Sequence, residues 1–188
     1  MILLINACVR SDSRTKQLAD HLISKMNDKV KEIKLEDISF PKADESFLKK
    51  RDMYASSGDF SADMFQLARD FASAEEIIVS APFWDLSFPA VLKQYFEQIN
   101  VVGLTFRYNE NGIPVGLCKA KRLFYVTTAG GRIINEEYGY GYIKALAECF
   151  YGIKECVLFK AEELDIIGAD TASIIERAKA EIDQFIKQ

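Results

Sequence analysis

Short apolar runs alternate along this chain with segments of helical period, and that alternation constrains the fold more than any other feature. Met1 to Ala7 is continuous and apolar, so it has no polar face to offer solvent and reads as a strand buried on both faces. Ile77-Ile78-Val79, within Glu76 to Ala81, reads the same way, and Pro82 stops it. Arg122 to Thr128 and Lys154 to Phe159 supply two further strands, and Lys29 to Glu36 alternates loosely as a short second one. Between them lie amphipathic stretches. Leu18, Leu22 and Met26 recur with Ala19 and Ile23 beside them, and Ser13 or Thr15 is placed to cap that helix. Ser61 to Ser73, Pro89 to Asn100, about Ile143 to Phe150, and about Asp170 to Lys187 read as helices. Asp37 to Gly58 shows no clean period. Asn109-Glu110-Asn111-Gly112 is a turn signal inside a hairpin-like excursion from Thr105 to Cys118.

Strands that alternate with helices imply a parallel sheet covered on both faces, with right-handed crossovers. The expected architecture is an α/β three-layer sandwich on a five-stranded parallel sheet of order 2-1-3-4-5. With no repeat, linker or low-complexity stretch, residues 1-188 are expected to form a single domain.

Composition narrows the function classes. Net charge is −4 and the longest local basic run, Lys49-Lys50-Arg51, sits among acids, so no nucleic-acid footprint is present. The four cysteines (Cys8, Cys118, Cys149, Cys156) form no C-x-x-C pair, and His21 is the only histidine, so metal-ligand spacing is absent. Scattered cysteines fit reduced thiols, with Cys8 at a loop mouth the one to watch for reactivity. The opening apolar run lacks a basic flank and is too short for a membrane span, so a cytoplasmic protein is expected.

In such folds ligands bind beyond the carboxyl ends of the strands. Three segments meet there. Arg10-x-x-Ser13-x-Thr15 joins the first strand to a helix start, where free N–H groups, hydroxyls and the guanidinium of Arg10 or Arg14 suit a monophosphate. The loop has no glycine, which separates it from Walker and G-x-G-x-x-G loops. An ordinary capped helix would use the same residues. Pro82-Phe83-Trp84-Asp85-Leu86, with Phe88 and Pro89 beyond, spends large apolar side chains on a strand-end loop, which suits a stacked flat ring or a subunit interface. Thr128-Ala129-Gly130-Gly131 offers backbone amides at close range, or a tight turn. Together they describe a site for a phosphorylated flat cofactor.

Pro82-Phe83-Trp84-Asp85-Leu86, then Leu92-Lys93-x-Tyr95-Phe96-Glu97, then Thr105-Phe106-Arg107-Tyr108, with Gly130-Gly131 later, resemble the FMN-dependent NAD(P)H:quinone oxidoreductase and azoreductase family of flavodoxin-like fold. The resemblance runs from Ile2 to the final helix. It implies tightly bound, non-covalent FMN with NAD(P)H as co-substrate, ping-pong reduction of quinones or azo compounds, and a homodimer with two sites at the interface. Arg10, Ser13, Arg14 and Thr15 would line the phosphate. Phe83 to Leu86 would run along one ring edge through backbone atoms, and Thr128 to Gly131 would meet the other. Phe106, Tyr108 and Tyr138 are candidates for an acceptor-facing wall. Asp85 stands where the family usually has Asn, and a carboxylate there would disfavour negative charge on the ring. Ala129 stands where azoreductases often have Arg. No catalytic side chain is named, because the flavin carries the hydride chemistry.

A flavodoxin-type electron carrier and an FMN reductase share this fold and are the alternatives. A phospho-acceptor signalling domain needs an Asp where Ser80-Ala81-Pro82 stands.

Overall fold

The computed structural model describes residues 1–187. In chain order the elements are β1 (Ile2–Asn6), α1 (Arg14–Ser24), β2 (Val30–Lys34), α2 (Glu45–Ser57), α3 (Gln66–Ser73), β3 (Glu76–Ser80), α4 (Ala90–Ile99), β4 (Phe106–Tyr108), β5 (Pro114–Gly116), β6 (Arg122–Thr128), α5 (Tyr142–Leu146), β7 (Glu155–Ala161) and α6 (Thr171–Ile186). Five strands form one parallel sheet in the order β2-β1-β3-β6-β7. Counting only those strands, this is the expected 2-1-3-4-5.

Strand alternation divides the core between the two faces of the sheet. Ile2 and Leu4 of β1 pack with Leu18 and Leu22 of α1 and Ile175 and Ile182 of α6. Leu3 and Ile5 face the other way, onto Phe71 of α3, Leu92 and Phe96 of α4, and Ile143 of α5. All of these side chains are buried, so β1 is apolar from Ile2 to Ile5 because both its faces are covered. Asn6 pairs in register with Lys34 and Ser80, so β1, β2 and β3 end together. The ladder continues beyond them through Ala7 N–H to Ser80 O, Phe83 N–H to Thr128 O and Ala129 N–H to Ala161 O. One edge of the sheet therefore gathers the loops after β1, β3, β6 and β7.

Where local structure departs from the sequence reading, the reasons are physical. α2 lies in the stretch that showed no period. Asp44 caps it, accepting from the Phe47 N–H at 3.0 Å, and Gly58 ends it at φ 70°. It buries no residue, so no apolar stripe was there to read. α3 starts at Gln66, not Ser61, because a 3₁₀ turn, Asp63–Phe65, precedes it and carries the buried Phe65. α5 continues a wider helical stretch than expected, between π-turns at Glu137–Gly141 and Ala147–Tyr151. Gly139 and Gly141 masked its beginning.

The expected hairpin is present. β4 and β5 pair antiparallel, Phe106 opposite Gly116, with Gly112 at φ 71° in the turn. It docks on the end of the helical stretch through Gly116, where an added methyl would overlap the backbone of Tyr151 and Gly152.

Candidate functional site

A cleft of about 270 Å³ opens at the carboxyl edge of the sheet. Arg10, Ser13, Arg14 and Thr15 line it from the first loop, Pro82, Phe83 and Trp84 from the second, and Thr128, Ala129 and Gly130 from the third. The three segments singled out in the sequence thus share one cavity. Its first wall is the start of α1. Ser13 is the cap, its Oγ accepting from the Lys16 N–H at 3.3 Å. Thr15, the other candidate cap, is buried instead, with its Oγ1 2.6 Å from Thr128 Oγ1. Among the described residues the N–H groups of Arg14 and Thr15 find no acceptor, as expected for the first turn of a helix. The Arg10 guanidinium is exposed and pairs with no carboxylate among them. These donors and one cation suit an anion.

The second wall is a two-residue turn. Trp84 N–H donates to Ser87 O at 3.0 Å and Ser87 N–H to Trp84 O at 2.7 Å. Asp85 and Leu86 between them take φ 50° and 65°, the left-handed region, so the loop is held in one strained shape. Their side chains are exposed, and neither lines the cleft. The Ser87 hydroxyl donates to the Tyr138 carbonyl and fastens this turn to the π-turn at Glu137–Gly141.

The third wall is the end of β6. Among the described residues the N–H groups of Gly130 and Gly131 donate to no protein acceptor. Neither glycine has a positive φ, so the backbone turn does not demand them. A side chain on Gly131 would meet open space, whereas one on Gly130 would run into the Asp165 carboxylate. Behind this wall, Lys160 pairs with Glu136 at 2.8 Å and Glu162 at 3.2 Å. Glu162 also accepts the Ile133 N–H at 2.7 Å, so β7 anchors the loop that follows the glycines.

Five lining residues were missed in the sequence: Cys8, Val9, Asp12, Leu164 and Asp165. The last two come from the loop after β7, which reaches the same edge as the other three, so strand order was the signal that could have found them. Arg14 turns its guanidinium to that loop, donating to Leu164 O at 3.2 Å and Asp165 Oδ1 at 2.8 Å. Of the expected acceptor wall, Phe106 is buried in the hairpin with its ring 4.6 Å from that of Phe150, while Tyr108 and Tyr138 are exposed. None of the three lines the cleft. Cys8 is buried with its Sγ 3.3 Å from Ser80 Oγ, and burial pushes its thiol pKa up, which makes it a poor nucleophile. His21 lies outside the site, its Nε2 2.8 Å from Asp183 Oδ1 between α1 and α6.

Larger clefts at the opposite edge are lined by Asp28, Glu75, Glu76, Arg122 and Glu155, where charges already pair, as Arg122 does with Glu76. They lie at the amino ends of the strands, away from the loops that carry ligands in such sheets.

The donor set of the first cleft fits FMN: orphan amides for a phosphate at the start of α1, aromatic and backbone surface at Phe83 and Trp84, and a further amide at Gly130, while Gly131, the next residue, does not line it. An FMN-dependent NADH:quinone oxidoreductase of Lachnoclostridium phytofermentans is 30% identical over 196 residues, covering 100% of this chain and 98% of that protein. One from Coprothermobacter proteolyticus is 29% identical over 187 residues, covering 94% and 92%. An FMN-dependent NADH-azoreductase of Bacillus anthracis, solved in complex with FMN, superposes with a TM-score of 0.81 at 23% identity over 99% of this chain and 97% of that one. The sequence model of the family described by its flavodoxin-like fold matches residues 1–186, and the chain belongs to that family.

Proposed function

We propose that this protein is an FMN-dependent oxidoreductase that takes hydride from NAD(P)H and reduces quinones, with azo compounds as a second acceptor class. The observation that carries this reading is the convergence of three strand-end loops on one cleft, with an anion-ready helix start at one end and aromatic surface at the other. The similarity to the FMN-dependent NADH:quinone oxidoreductase of Lachnoclostridium phytofermentans supports it. FMN, when bound, supplies the two-electron chemistry.

The residues bind and orient. Ser13 fixes the first turn of α1, so the Arg14 and Thr15 amides face the phosphate together with Arg10. The turn at Asp85 and Leu86 is held rigid by its paired hydrogen bonds and by the Ser87 hydroxyl, and the backbone around it would hold one side of the flavin ring. Gly130 and Gly131 would offer amides to the ring, where they would favour negative charge. The Asp85 side chain is exposed and does not line the cleft, so the backbone of this turn is what would meet the ring and the carboxylate would act on it only mildly. Tyr108 and Tyr138, exposed on neighbouring loops, serve an acceptor wall that a second subunit completes.

That second subunit is part of the proposal. Val9, Trp84, Leu86, Tyr108, Ile134 and Tyr138 are exposed apolar side chains on the cleft's own loops or next to them, as a homodimer built over the sites requires. Sedimentation of the FMN-loaded protein at twice the chain mass supports it, and a monomer at micromolar concentration contradicts it. Among the described residues no helix is long and apolar enough to cross a membrane.

The activity is tested by steady-state assay with FMN, NADH or NADPH, and menadione. Parallel double-reciprocal lines support the two-step enzyme. Retention of FMN without nucleotide oxidation would leave an electron carrier.

A further inference from the structure

Gly130 is not in the left-handed region, yet a methyl group on it would meet the Asp165 carboxylate, which would have to turn away from its present place. The Asp165 N–H donates to Gly130 O at 2.8 Å, which seats the loop after β7 against the loop after β6. From that seat Asp165 Oδ1 takes Arg14 Nη2 at 2.8 Å, while Leu164 O takes Nη1 at 3.2 Å. Three segments that line the cleft are thereby joined, the start of α1 to the loop after β7 through the Arg14 guanidinium and that loop to the loop after β6 through the Asp165 N–H, and a carboxylate stands beside the wall that offers amides to an anion.

We infer that Asp165 is a specificity-determining residue that neutralises Arg14 and so sets how strongly the site reads the flavin phosphate. This rests on the FMN reading of the cleft. Two guanidiniums, Arg10 and Arg14, line the cavity, but only Arg10 lacks a carboxylate partner among the described residues. A dianion entering beside Arg14 meets a charge already compensated and a nearby like charge, and both weaken its hold. The phosphate is then held mainly by backbone amides and Arg10. The ion pair is partly exposed, so it adds little to folding stability, and its main consequence is electrostatic.

The test compares FMN with riboflavin, which has the same ring and ribityl chain without the phosphate. Dissociation constants are measured by flavin fluorescence for the wild type, Asp165→Ala, Asp165→Asn, Arg14→Gln and the Arg14→Gln/Asp165→Ala double variant. Asp165→Ala is expected to tighten FMN about five- to tenfold, the scale of one partly exposed charge-assisted hydrogen bond, and to leave riboflavin unchanged. Asp165→Asn, which removes the charge but keeps an acceptor, is expected to gain less. The gain should shrink in high salt and be clearly smaller in the Arg14→Gln background, where only the like-charge repulsion is left to relieve. Unchanged or weaker FMN binding in Asp165→Ala overturns the inference, as does an equal gain for riboflavin or a gain undiminished without Arg14. A wild type that does not prefer FMN to riboflavin overturns the cofactor reading itself, a distinct result visible before any variant is made.

Discussion

Thr15 Oγ1 and Thr128 Oγ1 lie 2.6 Å apart in a buried contact that ties the first turn of α1 to the last residue of β6. One hydroxyl donates to the other, and the contact holds the loop after β1 against the loop after β6. Replacing one partner leaves the other buried and unpaired. Thr128→Val is expected to cost about 1–3 kcal/mol in urea unfolding, and the Thr15→Val/Thr128→Val double variant less than the sum of the singles. Additive losses would show that the hydroxyls do not depend on each other.

Gly116 packs against the backbone of Tyr151 and Gly152 with no room for a methyl group. Backbone cannot rotate aside as a side chain can. Gly116→Ala is therefore expected to lift the β4–β5 hairpin from the helix end and destabilise the protein by roughly 2 kcal/mol or more. Gly112→Ala in the same hairpin meets no neighbour and suffers only from its φ of 71°, so it should cost about 1 kcal/mol. Equal melting temperatures for the two variants would contradict this packing.

Leu86 is an exposed leucine held at φ 65°. Glycine adopts that conformation without the steric cost, so Leu86→Gly is expected to raise stability by about 1 kcal/mol despite the greater freedom of the unfolded chain. A loss of stability would mean that the side chain packs on something in solution, the partner subunit first of all. Repeating the measurement over a range of protein concentrations separates these outcomes.

The cysteines should differ sharply in reactivity. Cys149 is exposed, whereas burial pushes the Cys118 thiol up to about 12 and that of Cys156 to about 11. Cys8 is also raised by burial. Titration of the native protein with a thiol reagent near pH 8 should modify Cys149 quickly and the other three only on unfolding. A fast reaction at Cys8 would contradict its burial beneath the first loop.

The same burial gives a pH dependence. The phenols of Tyr95, Tyr125 and Tyr151 and the thiol of Cys118 are all raised in the folded state, chiefly by desolvation. A group raised on folding contributes stability that is complete below its unfolded pKa. The unfolded values lie near 8.5 for Cys and 10 for Tyr. Stability should therefore hold to about pH 8 and decline steadily through pH 9 to 12 as the unfolded chain loses protons first. Flat unfolding free energies across that range would contradict it.

What the sequence made legible follows from where burial writes a pattern. β1 and β6 are covered on both faces, so Ile2 to Ile5 and Leu123 to Val126 are unbroken apolar runs and could be read directly. α2 buries nothing, so only its Asp44 cap and Gly58 stop were there to mark it. At the site, the loops after β1, β3 and β6 carry unusual composition and were found. Leu164 and Asp165 were not, because the composition of their loop is ordinary and only the strand order, which brings the loop after β7 to the same edge, points to it. Phe106, offered for the acceptor wall through the family resemblance of Thr105 to Tyr108, is instead the hairpin's buried anchor.

The most direct test of the proposed activity is anaerobic stopped-flow of the FMN-loaded protein. The flavin absorbance is followed on mixing with NADH or NADPH, and then on mixing the reduced protein with menadione. The expected result is rapid bleaching by one or both nucleotides and rapid return of the band with the quinone. Bound flavin that neither nucleotide bleaches, or reduced flavin that menadione leaves unchanged, would contradict an enzyme that carries hydride from nicotinamide to quinone.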